Sequence, residues 1–118
     1  MINYTVEFVE LKSGKKPFFE FLKKLRDDDV VKIFARIDFF ISKKNSNEQI
    51  SDKLSKYLKN GIFEIKCELS DKSIRVLYFY IDGAKMVITH GFIKKSNKTD
   101  PKEIEKAINL KNQYEEER

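Results

Sequence analysis

The sequence predicts an α+β protein: an antiparallel sheet packed against an N-terminal helical hairpin, with one further helix at the C-terminus. Three observations predict it. Between Ile62 and Phe92, apolar residues run in short stretches separated by tight-turn signals, the pattern of strands. Between Val30 and Ile41 they recur at helical spacing, which marks an amphipathic helix. Asp100-Pro101-Lys102-Glu103 has the form of a helix start, with a capping side chain, a proline at the first position and a glutamate three residues on.

The elements follow in order. Tyr4 to Val9 alternates, with Tyr4, Val6 and Phe8 on one side, and reads as a half-buried strand. Leu11 to Lys16 is a loop, and Pro17 suits a first helical turn, where a missing N–H costs nothing. Phe18, Phe21, Leu22 and Leu25 then keep helical spacing. Asp27, Asp28 and Asp29 interrupt the pattern and are expected to cap the next helix and place charge at its positive end. That helix carries Val30, Ile33, Phe34, Ile37, Phe40 and Ile41. The two helices form the hairpin, and their aromatic stripe reads as core.

Ser42 to Lys59 is polar and lysine-rich, with a turn at Asn45-Ser46-Asn47 and a short apolar contact from Leu54, Tyr57 and Leu58. Asn60-Gly61 is a turn leading into the next strand. Along 62–69, Phe63, Ile65, Cys67 and Leu69 are expected on one face, with Glu64, Lys66 and Glu68 on the other. Ile74 to Ile81 is apolar on both faces, as a central covered strand is. Asp82-Gly83 is a hairpin turn. Lys85 to Phe92 is its partner strand, with Met86, Ile88, His90 and Phe92 expected on one face. The order is β-α-α-β-β-β-α in a single domain spanning 1–118.

Composition narrows the function. The chain has 118 residues, 41% of them hydrophobic, with ten Phe and five Tyr, enough for one real core. Its one cysteine, Cys67, offers neither an internal disulfide nor zinc-ligand spacing and reads as a small buried side chain. No signal-peptide pattern follows Met1, and no apolar run approaches the length of a spanning helix. A soluble, cytoplasmic protein is expected. The net charge is +5, which favours a polyanion or an acidic protein as partner.

The charge converges on one place. In a meander, the start of the third strand lies beside the ends of its neighbours. Arg75 is therefore expected near Lys66 and near the stretch from His90 through Lys94, Lys95 and Lys98. Such a cluster suits a phosphodiester, whose cleavage builds charge that fixed cations stabilise. RNA supplies its own nucleophile, the 2′-hydroxyl, so the protein needs only proton transfer and positioned cations. Histidine titrates near neutrality, and a lysine crowded by other cations can serve as well. The same residues admit structural readings: Arg75 paired with Glu64 or Glu68, His90 packed in the core, and the lysines on a solvated loop.

These residues also carry a resemblance. The stretch Lys59-Asn60-Gly61-Ile62-Phe63-Glu64-Ile65-Lys66, the strand Ile74-Arg75-Val76-Leu77-Tyr78-Phe79 and the run His90-Gly91-Phe92-Ile93-Lys94-Lys95-Ser96-Asn97-Lys98-Thr99 are similar to the phage-derived, HigB-like branch of the RelE/ParE toxin superfamily. Thr99-Asp100-Pro101-Lys102-Glu103-Ile104 matches the helix start of that branch. The resemblance implies a RelE-like fold and a ribosome-dependent mRNA endoribonuclease. It implies cleavage by 2′-hydroxyl attack without metal or cofactor. The implied partners are a helix-turn-helix, HigA-like antitoxin, the ribosome and mRNA, with the antitoxin forming a hetero-oligomer. Carried over, Arg75 clamps the scissile phosphate, and Lys66, Lys94 and Lys95 stabilise charge. His90 or one of the lysines transfers the proton, and Lys56, Lys59 and Lys98 contact RNA. RelE enzymes use a tyrosine late in the chain; here Tyr114 is the only one after Tyr80, far into the last helix. Two rivals share the residues: a ParE-type inhibitor of DNA gyrase on the same fold, and a non-catalytic RNA- or protein-binding module.

Overall fold

A computed structural model describes residues 2–118. The chain runs β1 (Thr5–Phe8), α1 (Pro17–Leu22), α2 (Asp27–Asn45), β2 (Ser55–Lys59), β3 (Ile62–Glu68), β4 (Ser73–Ile81), β5 (Lys85–Lys94) and α3 (Pro101–Glu116). The strands form one sheet in the order β1-β5-β4-β3-β2. β1 runs parallel to β5, and the remaining neighbours are antiparallel. α1 and α2 cover one face and α3 the other, as two separate apolar clusters record. β4, apolar on both sides, is covered on both sides.

The structure adds a strand, β2, to the expected order. It pairs Ser55 with Ile65 and Tyr57 with Phe63. Asn60-Gly61 is thus a hairpin turn and not a mere lead-in. Asn60 and Gly61 both have positive φ, 50° and 82°, as do Asp82 and Gly83 at 52° and 83°. That pair of left-handed residues is what a two-residue hairpin turn requires. Lysines along β2 suit an edge strand, where charge deters pairing with another chain.

Two helix starts differ in detail from expectation. Arg26 occupies the N-cap of α2 without a side-chain bond, and Asp27, Asp28 and Asp29 lie inside the first turn. They complement the helix dipole there, and Asp29 is also buried in an ion pair with Lys72 at 2.8 Å. At α3, Asp100 caps as expected, accepting from the Lys102 N–H at 2.9 Å. Glu103 does not close a capping box; its carboxylate turns to His90.

β5 departs from simple alternation. Leu77 pairs with His90, but Tyr78 pairs with Ile88, so Thr89 is left without a partner. This β-bulge inserts one residue and reverses the facing of everything after it. Met86 and Ile88 pack with the α1/α2 layer, whereas Phe92 packs with Ala107 and Leu110 of α3. The expected single face of Met86, Ile88, His90 and Phe92 is therefore split in two. The shift puts Gly91 against α1. A Cβ there would lie 2.7 Å from Phe21 Cδ2, so no larger residue fits without moving the ring.

Candidate functional site

β3, β4 and β5 set the site through their register. Lys66 is opposite Arg75, and Arg75 is opposite Phe92; one step outward, Glu68, Ser73 and Lys94 align. Lys66, Arg75 and Lys94 thus share the α3 face at one end of the sheet. Chain direction brings them together, because β3 ends, β4 begins and β5 ends there.

Arg75 is buried, at 5% exposure. Its Nη1 donates to Glu68 Oε1 at 2.5 Å and to the Ile74 carbonyl at 3.1 Å. Its Nε faces Glu64 Oε1 at 3.7 Å and has no hydrogen-bond partner. Both pairings that the sequence left open are present. Glu64, expected on a polar face, is itself only 2% exposed and accepts from the Thr99 hydroxyl at 2.7 Å. Glu68 also accepts from Ser73. That hydroxyl, then Arg75 and nearby Lys94, hold its carboxyl below the usual range, against the opposing effect of burial. Two carboxylates therefore orient one guanidinium from the strand beside it.

Arg75, Lys94 and Lys95 line a concavity of about 350 Å³ with Ser73, Ser96 and Asn97. Three cations and three neutral hydrogen-bonding side chains form its wall. Such a surface can hold a phosphate: Arg is a planar donor set, and the lysines add mobile point charges.

His90 lies apart from that concavity. It is 1% exposed, and its Nε2 lies 3.0 Å from Glu103 Oε1. Where Nε2 donates to that carboxylate, Nδ1 is the acceptor, 3.2 Å from the Thr89 hydroxyl. Burial pushes its pKa down, with the Glu103 bond opposing. The ring ties β5 to α3. The bulge at Thr89, invisible to an alternation count, turns it there.

The remaining lysines divide. Lys98 is exposed on the loop after β5 and lines a larger groove beside Lys94 and Lys95. Lys56 is exposed on β2, opposite Glu64. Lys59 stands beside the Asn60-Gly61 turn at the far end of β3, four residues or about 13 Å of strand from Lys66. The hairpin carries it away from the cationic corner. Tyr114 is also remote: its hydroxyl donates to Glu7 Oε2 at 2.6 Å. Burial and that carboxylate push its pKa up to about 12. Cys67 is buried, which raises its thiol pKa. Among the described residues, no group of three or more His, Cys, Asp or Glu side chains is placed to hold a metal ion, and no helix is long and apolar enough to cross a membrane.

Mixed sheet, helices on both faces and a cationic sheet end define an α+β protein of RelE-like fold. A family model described as phage derived protein Gp49-like (DUF891) matches residues 20–112. The chain belongs to that family, one of RelE-like toxins associated with toxin–antitoxin systems, which suggests an antitoxin as its partner. A comparison with curated proteins finds no match.

Proposed function

We propose that the chain is a HigB-like mRNA endoribonuclease that cuts translated message on the ribosome, in the cytoplasm, and is held in check by a helix-turn-helix antitoxin. The observation that carries this reading is the concavity of Arg75, Lys94 and Lys95, with Lys66 in register beside it. In the proposed reaction the 2′-oxygen attacks the adjacent phosphorus and the bond to the 5′-oxygen breaks. The products are a 2′,3′-cyclic phosphate and a 5′-hydroxyl. Arg75, oriented by Glu64 and Glu68, holds the non-bridging oxygens, and Lys66 and Lys94 offset the charge that builds on them. His90 is walled off from solvent, so both proton transfers fall to the lysines of the concavity: one of Lys94 and Lys95, as the free amine, takes the proton from the 2′-oxygen, and the other, as the ammonium, gives a proton to the departing 5′-oxygen. His90 acts as a positioning residue that ties α3 to the sheet.

The test is to induce the wild-type chain and a Lys94→Gln/Lys95→Gln variant in bacteria and map new RNA 5′ ends. Both lysines lie outside the buried network, so the variant keeps its fold. New 5′-hydroxyl ends inside reading frames, with wild type only, are expected. Growth arrest with DNA damage signalling and no new ends would overturn the reading in favour of gyrase inhibition.

A further inference from the structure

A second concavity, larger than the one at Arg75, lies beside it. It is a groove of about 600 Å³ that runs past the end of β5, between α1 and the start of α3. It shares Lys94, Lys95 and Ser96 with the Arg75 concavity, so the two form one continuous surface around the strand tip.

Six lysines line it: Lys15, Lys24, Lys94, Lys95, Lys98 and Lys106. They come from the loop before α1, the turn after α1, the tip of β5, the following loop and α3. Among the described residues none of the six makes an ion pair. Three carboxylates also line the groove, and each is engaged elsewhere. Glu20 pairs with Lys23, Asp100 caps α3, and Glu103 holds His90. Six cations against three carboxylates leave the groove net positive toward an anion from outside.

The floor is apolar. Phe21, Leu25 and Ile93 line it. Ile93 is 37% exposed, unusual for an isoleucine inside a paired strand. The bulge at Thr89 sets its facing: without it Ile93 would face α3. Gly91 completes the floor by letting Phe21 close against the strand. A groove with cations along its walls and an apolar, partly aromatic floor has the chemistry that single-stranded nucleic acid needs: phosphates on the cations and base faces on the floor.

We infer that this groove is an extended RNA track, in which nucleotides flanking the scissile phosphate lay their backbone along Lys15, Lys24, Lys98 and Lys106 and set a base against Phe21 and Ile93. The inference rests on the nuclease reading above. An acidic protein segment would also meet the lysines, but the continuity with the phosphate concavity favours RNA.

The test is fluorescence anisotropy of a labelled single-stranded RNA, roughly a dozen nucleotides long, at a series of salt concentrations. The purified chain is compared with a Lys15→Gln/Lys24→Gln/Lys106→Gln variant and with Lys94→Gln/Lys95→Gln. Lys15, Lys24 and Lys106 are all exposed, so the triple variant disturbs no buried side chain; a thermal melt checks this. The triple variant should bind about 10- to 100-fold more weakly, with a salt slope shallower by about 2, since each phosphate neutralised on a single strand adds roughly 0.7 to that slope. Ile93→Gln should reduce the penalty for replacing one base by an abasic site. If only the Lys94/Lys95 variant weakens RNA binding, the extended track is overturned and the nuclease reading stands. If neither variant weakens it, the extended track is overturned, and the nuclease reading is decided separately by the mapped 5′ ends. If the triple variant keeps RNA but no longer co-purifies with a co-expressed antitoxin, the groove belongs to an acidic protein and the inference fails.

Discussion

The two faces of the sheet are built on opposite principles. Against α1 and α2 the face is mainly aromatic, with one ion pair, Asp29–Lys72, at the start of α2: Phe8 stacks on Phe18 with centroids 5.5 Å apart, and Phe63 on Tyr78 at 5.4 Å. Its buried hydroxyl, on Tyr78, is matched by the Ser55 hydroxyl at 2.7 Å. Against α3 the apolar patch is smaller, and the sheet end beyond it is occupied by Glu64, Arg75, Glu68, Thr99, His90 and Glu103 in bonded pairs. One face supplies stability by burying area. The other gives up some of that area to hold a guanidinium and a helix in fixed positions. A buried ion pair is a poor source of stability, so its presence on the α3 face points to positioning.

Four changes test whether the two faces are independent. Phe40→Ala removes a ring buried against Tyr78 and should cost about 3–5 kcal/mol in chemical denaturation. RNA affinity below the midpoint should stay unchanged; a parallel loss of affinity would show the two faces to be coupled. Arg75→Met strands Glu64 in the interior, and removing one partner of a buried pair costs about 3–5 kcal/mol. Adding Glu64→Gln should restore most of that stability. Cleavage should remain down by roughly 100-fold or more, the scale for losing one donor to transition-state charge. If cleavage returns with stability, Arg75 is structural only.

Gly91→Ala places a methyl group 2.7 Å from the Phe21 ring. Overpacking of that kind costs about 1–3 kcal/mol, read as a lower melting temperature, and Phe21→Leu in the same chain should recover part of it. The smallest effect is a pH dependence. The folded pKa of His90 lies below its unfolded value because of burial, so the unfolded chain takes up the proton first. Stability should therefore be full above an unfolded pKa of about 6.5 and fall as the pH drops below it. His90→Gln should flatten the melting temperature over that window. An unchanged slope would place the acid sensitivity in the carboxylates, Glu68 among them, which titrate lower.

Much of the fold was legible along the chain. Helical spacing marked α2, Asp82-Gly83 marked a hairpin turn, and Asp100-Pro101 marked the start of α3. β2 was missed, and Asn60-Gly61 read only as a turn into β3, because Ser55-Lys56-Tyr57-Leu58-Lys59 carries too little apolar alternation to read as an edge strand. At the site, the meeting of Lys66, Arg75 and Lys94 was legible, since a meander with short turns leaves few registers. The burial of Glu64 and the Glu103 partner of His90 were not, and neither was the approach of Lys15, Lys24 and Lys106 to the tip of β5. Each depends on residues distant in sequence.

What the sequence determined by itself was local: which segments are helix or strand, where the chain turns, and that one strand ends in a run of lysines. Backbone dihedral preferences and hydrophobic period act over a few residues, so a few residues suffice to read them. What only the tertiary structure decided was facing and pairing. One extra residue at Thr89 sends His90 to Glu103 and Ile93 to the groove. A strand's side chains change face with every residue, so a single insertion inverts all that follow it, and the packing of α1 and α3 against the two faces determines where that inversion falls.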